Sequence, residues 1–173
     1  MILDCIVKAI FLLLIYNVLS LILFGVPKSM SSTYYSFKER METLKVLFPG
    51  SVLAMVIFLT PAMVQITSNS PLIIISILYG MTLGFVGVVP FLRDKNENSK
   101  LHRIASGVAI LLSFLWIIFV TPYWYIIPTC LVIFLTISIV TKTFKKGYWY
   151  WLENTSLTSI FMSTLIYYEL YIK

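Results

Sequence analysis

Apolar residues run through this chain in six long stretches, residues 5–24, 46–66, 72–92, 101–120, 123–139 and 148–171. Most are close to the roughly 20 residues that an α-helix needs to cross a hydrocarbon layer. The punctuation between them is that of helix ends. Gly25 and Pro27 stop the first stretch, since glycine frees the backbone and proline cannot continue the hydrogen-bond ladder. Ser70 followed by Pro71 reads as a cap and a first-turn proline opening the third. Pro122 turns the chain between the fourth and fifth. Pro49, Pro61 and Pro128 fall inside stretches and invite kinks. Between the first two stretches, Ser29, Ser31, Ser32 and Thr33 form a plausible helix cap. Tyr34, Phe37, Met41 and Leu44 then recur at helical spacing among charges, predicting a short helix lying in the interface.

Charge converts this pattern into a topology. Lys28, Lys38, Arg40 and Lys45 follow the first stretch, Arg93, Lys95, Lys100 and Arg103 the third, and Lys142, Lys145 and Lys146 the fifth: eleven of the thirteen Lys and Arg residues. The connections at 67–71 and 121–123 carry no charge. Short loops rich in Lys and Arg stay cytoplasmic, so both termini are expected outside. Aromatic belts agree, with Tyr123, Trp124, Tyr125, Tyr167, Tyr168 and Tyr171 at the outer boundary and Tyr148, Trp149, Tyr150 and Trp151 at the inner. A composition that is 60% hydrophobic and 12% charged, with mean hydropathy +0.94, points to lipid as the solvent. The whole chain, 1–173, is read as a single all-α bundle of six transmembrane helices in the inner membrane, with no internal duplication of the kind that builds transporters. Residues 9–24 are read as a retained helix and not a signal peptide, because no small-residue cleavage site follows them.

The net charge of +6 is explained by topology and by attraction of the inner face to anionic lipid headgroups, not by nucleic acid. Cys5 and Cys130 are expected at different depths, both as small buried residues without a disulfide. One histidine and two separated cysteines cannot readily build a metal centre, and no P-loop, dinucleotide fingerprint or GxSxG elbow is present; no cofactor is expected.

Few residues remain that can carry chemistry. Residues 46–92 and 104–141 contain no ionisable side chain besides tyrosine and Cys130, which weighs against an ion-coupled pump. Glu153 is the exception. Either it reaches back to the interface or pairs with Lys145 or Lys146, or it serves as a ligand or proton acceptor. Ser156, Ser159 and Ser163 follow it on one side of the last span, favouring contact with a neighbouring helix over a polar cavity. Gly80, Gly84 and Gly87 form a close-packing surface, matched by Ala105 and Ala109 on the next span. Ser29, Ser31, Ser32, Thr33, Tyr34 and Tyr35, with His102 and Glu153, all fall at the inner face, where together they can bind a polar headgroup or small solute.

At these residues the chain resembles a group of small, functionally uncharacterised polytopic proteins of Bacteroides-like bacteria and their mobile elements. The resemblance rests on Gly25, Val26 and Pro27 leading into Ser29, Ser31, Thr33, Tyr34 and Tyr35, on Pro90 and Phe91, and on His102. It covers roughly the first two thirds and implies architecture, not a reaction. Three functional readings remain: a non-enzymatic component binding a protein partner, another copy of itself or lipid at its inner face, which leads; a small channel or carrier for neutral or amphiphilic solutes; and a lipid-active enzyme using His102 with Glu153 or a nearby serine.

Overall fold

The computed structural model describes residues 2–40, 46–92 and 95–172. Met41, Leu44, Lys45 and Arg93 lie outside the described residues, as do the side chains of Phe37, Lys38, Arg40, Pro90, Phe91, Lys95 and Lys100. All regular structure among the described residues is helical: α1 (Ile2–Phe24), α2 (Ser32–Arg40), α3 (Leu47–Ile66), α4 (Ile73–Leu92), α5 (Lys95–Val120), α6 (Ile126–Val140) and α7 (Phe144–Tyr171).

Within three of these lie segments long and apolar enough to cross a membrane, Leu3–Phe24, Leu47–Ile66 and Leu101–Val120. No more than 39% of the most apolar window of any of them is buried within the chain. Phe11, Ile22, Ile57, Ile104 and Val140 stand exposed on the outside. In water such helices would bury their apolar faces; here those faces look outward, as they do when the solvent is lipid. The reverse holds for α7, whose inward face is polar: Glu153, Asn154, Thr155, Ser156, Ser159, Ser163 and Thr164 are all buried. Without water to hydrogen-bond them, polar groups turn toward other helices.

Five helices close a ring in the order α1, α3, α4, α5, α7 and back to α1, and α6 packs outside it against α7. Trp116, Tyr79, Tyr150, Phe48, Phe161, Met55 and Leu59 fill the ring. Two polar knots hold its ends. At one, Thr67 Oγ1 lies 2.9 Å from Ser76 Oγ, which accepts the Trp116 indole N–H at 2.8 Å, joining α3, α4 and α5. At the other, the turn between α1 and α2 closes on the start of α7. The Tyr150 N–H donates to the Lys28 carbonyl at 3.2 Å, and the Tyr150 hydroxyl to Asn17 Oδ1 at 2.6 Å.

Glycine makes that closure possible at two places. Gly25 adopts φ +67°, a left-handed conformation that ends α1. Gly147 interrupts α7 with φ −125° and ψ 26°. A Cβ at 147 would stand 2.6 Å from Val26 Cγ1 and 2.9 Å from the Pro27 carbonyl oxygen, so only glycine lets the turn pass this close.

Several expectations need correction. The helix expected over 101–120 begins at Lys95, and the one expected over 148–171 begins at Phe144, because the residues ahead of each apolar run hold no proline to stop the backbone ladder. The stretch at 123–139 becomes helical at Ile126, which places Pro128 in the first turn, where its missing N–H breaks no bond. Pro61 sits inside α3, which stays one helix from Leu47 to Ile66. Gly80 and Gly87 approach α3 most closely: a Cβ on Gly80 would meet Thr60 and one on Gly87 would meet Val52, while nothing stands within 4 Å of a Cβ on Gly84. Ala105 and Ala109 are buried on α5. Cys130 is buried but Cys5 only half-buried, and both are free thiols.

Candidate functional site

α2 begins with a self-contained knot of hydroxyls. The Ser32 N–H donates to Ser29 Oγ at 3.1 Å and the Ser29 N–H to Ser32 Oγ at 3.2 Å, the reciprocal arrangement of a capping box. Ser29 Oγ also lies 3.0 Å from Ser31 Oγ. The Thr33 and Tyr16 hydroxyls lie against one another and against the Met30 carbonyl, sharing two protons among the three contacts and tying the start of α2 to α1. Tyr34 is buried with its ring edge against Tyr35. Of the six hydroxyl residues expected to bind a ligand, Ser29, Ser32, Thr33, Tyr34 and Tyr35 serve the helix start and its packing, and Ser31 alone reaches the cavity described next. The physical reason is local: a helix start must satisfy its own free N–H groups before its hydroxyls can serve anything else.

Glu153 does not reach back to the interface, nor does it pair with Lys145 or Lys146. It is buried, and its Oε2 accepts the Met30 N–H at 2.7 Å. One turn of α7 beyond Tyr150 points it toward the ring, and Gly147 brings the α2 start near enough to meet it. Among the described residues the recorded ion pair is Lys8 with Asp4, both exposed on α1, so no cationic side chain there balances Glu153.

Beside Glu153 lies a cavity of about 40 Å³. Phe48, Val52, Leu83 and Val86 line it together with Glu153, Ser31, Ser106, Ser156 and Tyr79, and the surface that faces the space is almost wholly apolar. A water needs roughly 10–15 Å³ by the same measure, so the space has the volume of a few waters but an apolar lining that offers them few partners. The Tyr79 hydroxyl is buried and has no hydrogen-bond partner.

His102 meets this site through Ser106. Its Nε2 lies 3.1 Å from Ser106 Oγ, one helical turn along α5, and its ring packs edge-on against Phe48. Its Nδ1 is buried without a partner. A serine nucleophile activated by histidine needs the base's second nitrogen held by a third group. Glu153, the carboxylate at hand, bonds the Met30 amide instead. The pair is therefore an incomplete hydrolase apparatus.

Ser156 both lines the cavity and bonds Ser113 of α5 at 2.7 Å, while Ser159 and Ser163 are buried without partners. No group of three or more metal-ligating side chains is found among the described residues. Sequence reasoning missed Ser106, Tyr79 and the Met30 amide. Ser106 could have been found from its place four residues after His102 on one helical face. Nothing local marks a backbone amide or a tyrosine on α4.

Comparison with family models, curated proteins and solved structures finds no significant match.

Proposed function

We propose that this chain is a multi-pass inner-membrane protein, six times across with both ends outside, that binds anionic lipid headgroups or a partner at its cytoplasmic face and catalyses nothing. One observation carries the reading. Lys28, Lys142, Lys145 and Lys146 are exposed where the α1–α2 turn meets the start of α7, and Arg103 is exposed on α5 next to His102. Cationic side chains near an anionic leaflet are each attracted by about 1 kcal/mol. The three long apolar spans, the shorter apolar segment Ile73–Val89 of α4, α6 and the more polar α7 make up the six of this reading. α6, at 15 residues, rises about 22 Å, so it crosses only with the flanking Tyr123, Trp124 and Tyr125 at the boundary.

Two measurements test it. In a chain with Cys5 and Cys130 replaced by serine, an impermeant maleimide applied to intact cells should label Ser68→Cys and leave Lys145→Cys unlabelled; the opposite pattern overturns the topology. Purified protein should melt at higher temperature with phosphatidylglycerol than with phosphatidylcholine. Joint substitution of Lys142, Lys145 and Lys146 by glutamine should erase much of that difference, and an undiminished difference would overturn headgroup binding there.

A second reading, a lipid-active enzyme, is favoured by the His102–Ser106 contact beside the cavity. Labelling of Ser106 by a fluorophosphonate would support it, and an unreacted Ser106 in folded protein would remove it.

A further inference from the structure

Lys8 and Asp4 put two charges on the outward side of α1, at the opposite end of that helix from the α1–α2 turn. The Lys8 ammonium donates to Asp4 Oδ2 at 2.7 Å, and both side chains are more than half exposed. An exposed pair one helical turn apart adds little to stability, and charges in an apolar span cost free energy and commonly mark a site. Stability therefore does not account for the pair. Its bond uses one of three ammonium N–H groups and one of two carboxylate oxygens, leaving donors and an acceptor side by side for a group outside the chain.

A groove starts at this pair. It encloses about 330 Å³, is lined by Val7, Lys8, Phe11, Leu12 and Ile15 of α1 and Phe58 of α3, and its facing surface is almost wholly apolar. From Lys8 to Ile15 the helix rises about 10 Å, so the groove follows α1 for two turns. Val7, Phe11 and Ile15 are exposed, which leaves it open sideways to lipid. Side chains on a helix lean toward its N-terminus, and the contact with Asp4, one turn back, shows Lys8 doing so. The apolar stem of Lys8 thus lines the groove while its ammonium stands at the end nearer Asp4.

We infer that this groove holds an acyl chain of a phospholipid whose headgroup joins a phosphate to a primary ammonium, as in phosphatidylethanolamine, with Lys8 donating to the phosphate and Asp4 accepting from the ammonium. An apolar lining suits the chain, and the pair of opposite charges at its head complements a headgroup that is itself a pair of opposite charges. Phosphatidylcholine carries the same charges, but its quaternary ammonium has no N–H to give Asp4. Phosphatidylglycerol lacks the cation. The outside N-terminus proposed above makes this a lipid of the outer leaflet; the recognition itself does not depend on orientation.

The test is native mass spectrometry of purified full-length protein given equimolar dioleoyl phosphatidylethanolamine and dioleoyl phosphatidylcholine, which have the same chains and zero net charge, so that the lysines of the inner face do not separate them. Wild type should retain phosphatidylethanolamine about tenfold over phosphatidylcholine as its first bound lipid, the equivalent of one charge-assisted hydrogen bond. Asp4→Ala should bring the two to parity. Ile15→Trp, which crowds the groove at its inner end, should lower retention of both. Asp4 and Ile15 face outward, so both variants should keep the melting temperature of wild type. Joint substitution of Lys142, Lys145 and Lys146 by glutamine should leave the preference unchanged. Equal retention of the two lipids by wild type overturns the proposal, as does a preference that survives Asp4→Ala. A preference erased by the glutamine variant places recognition at the inner face and also overturns it, and undiminished retention by Ile15→Trp refutes the groove as the seat of the chain. A reversed topology would change the leaflet and none of these outcomes.

Discussion

Substituting Gly147 by alanine adds one methyl group at the point where the α1–α2 turn closes on α7. The new Cβ would stand 2.6 Å from Val26 Cγ1 and 2.9 Å from the Pro27 carbonyl oxygen. Favourable carbon contacts begin at about 3.5 Å, so Val26 must retreat by about 1 Å and the backbone at Pro27 with it. Overpacking of this kind costs about 1–3 kcal/mol. Alanine opposes that with about 0.4–1 kcal/mol from a stiffer unfolded chain. However, φ −125° and ψ 26° are not helical, so it gains little of its helix preference at this residue. The net expectation is a loss of about 1–2 kcal/mol. Thermal melting in detergent measures it, with Gly84→Ala and Gly107→Ala as controls, because nothing stands within 4 Å of a Cβ at either position. Those two should be neutral or stabilised by up to about 1 kcal/mol. A Gly147→Ala protein as stable as the controls would refute the claim that this glycine admits the turn.

Glu153→Leu leaves the Met30 N–H buried without an acceptor and should lower stability by about 1–3 kcal/mol, read from the melting temperature; Glu153→Gln, whose carbonyl still accepts, should lose less. Trp116→Phe removes the indole donor to Ser76. A double-mutant cycle with Ser76→Ala should return a coupling of about 0.6–1.7 kcal/mol, and a coupling near zero would mean that this bond does not hold α4 to α5. The same cycle on Asn17→Ala and Tyr150→Phe should show coupling of similar size between α1 and α7.

The helical class, the outward apolar faces and the approximate bounds of the long spans were written in the sequence, because each depends on local quantities: run length, hydropathy and the residues that start or stop a helix. The charged connections and the polar stripe on α7 were equally legible, since a side chain's charge and its helical register are both set along the chain. Which polar group meets which was not. Glu153 and Met30 are 123 positions apart, and the acceptor–donor pair is a carboxylate with a backbone amide that every residue but proline carries. Gly147 has no helical explanation until Val26 and Pro27 lie against it. Likewise, the spacing of Gly80 and Gly87 marks a face but not its occupant, and only the closing order of the ring puts α3 there. Tertiary structure decides these pairings because in lipid apolar surface favours no neighbour over another. The partner of each polar or small residue is then chosen by geometry when the ring shuts.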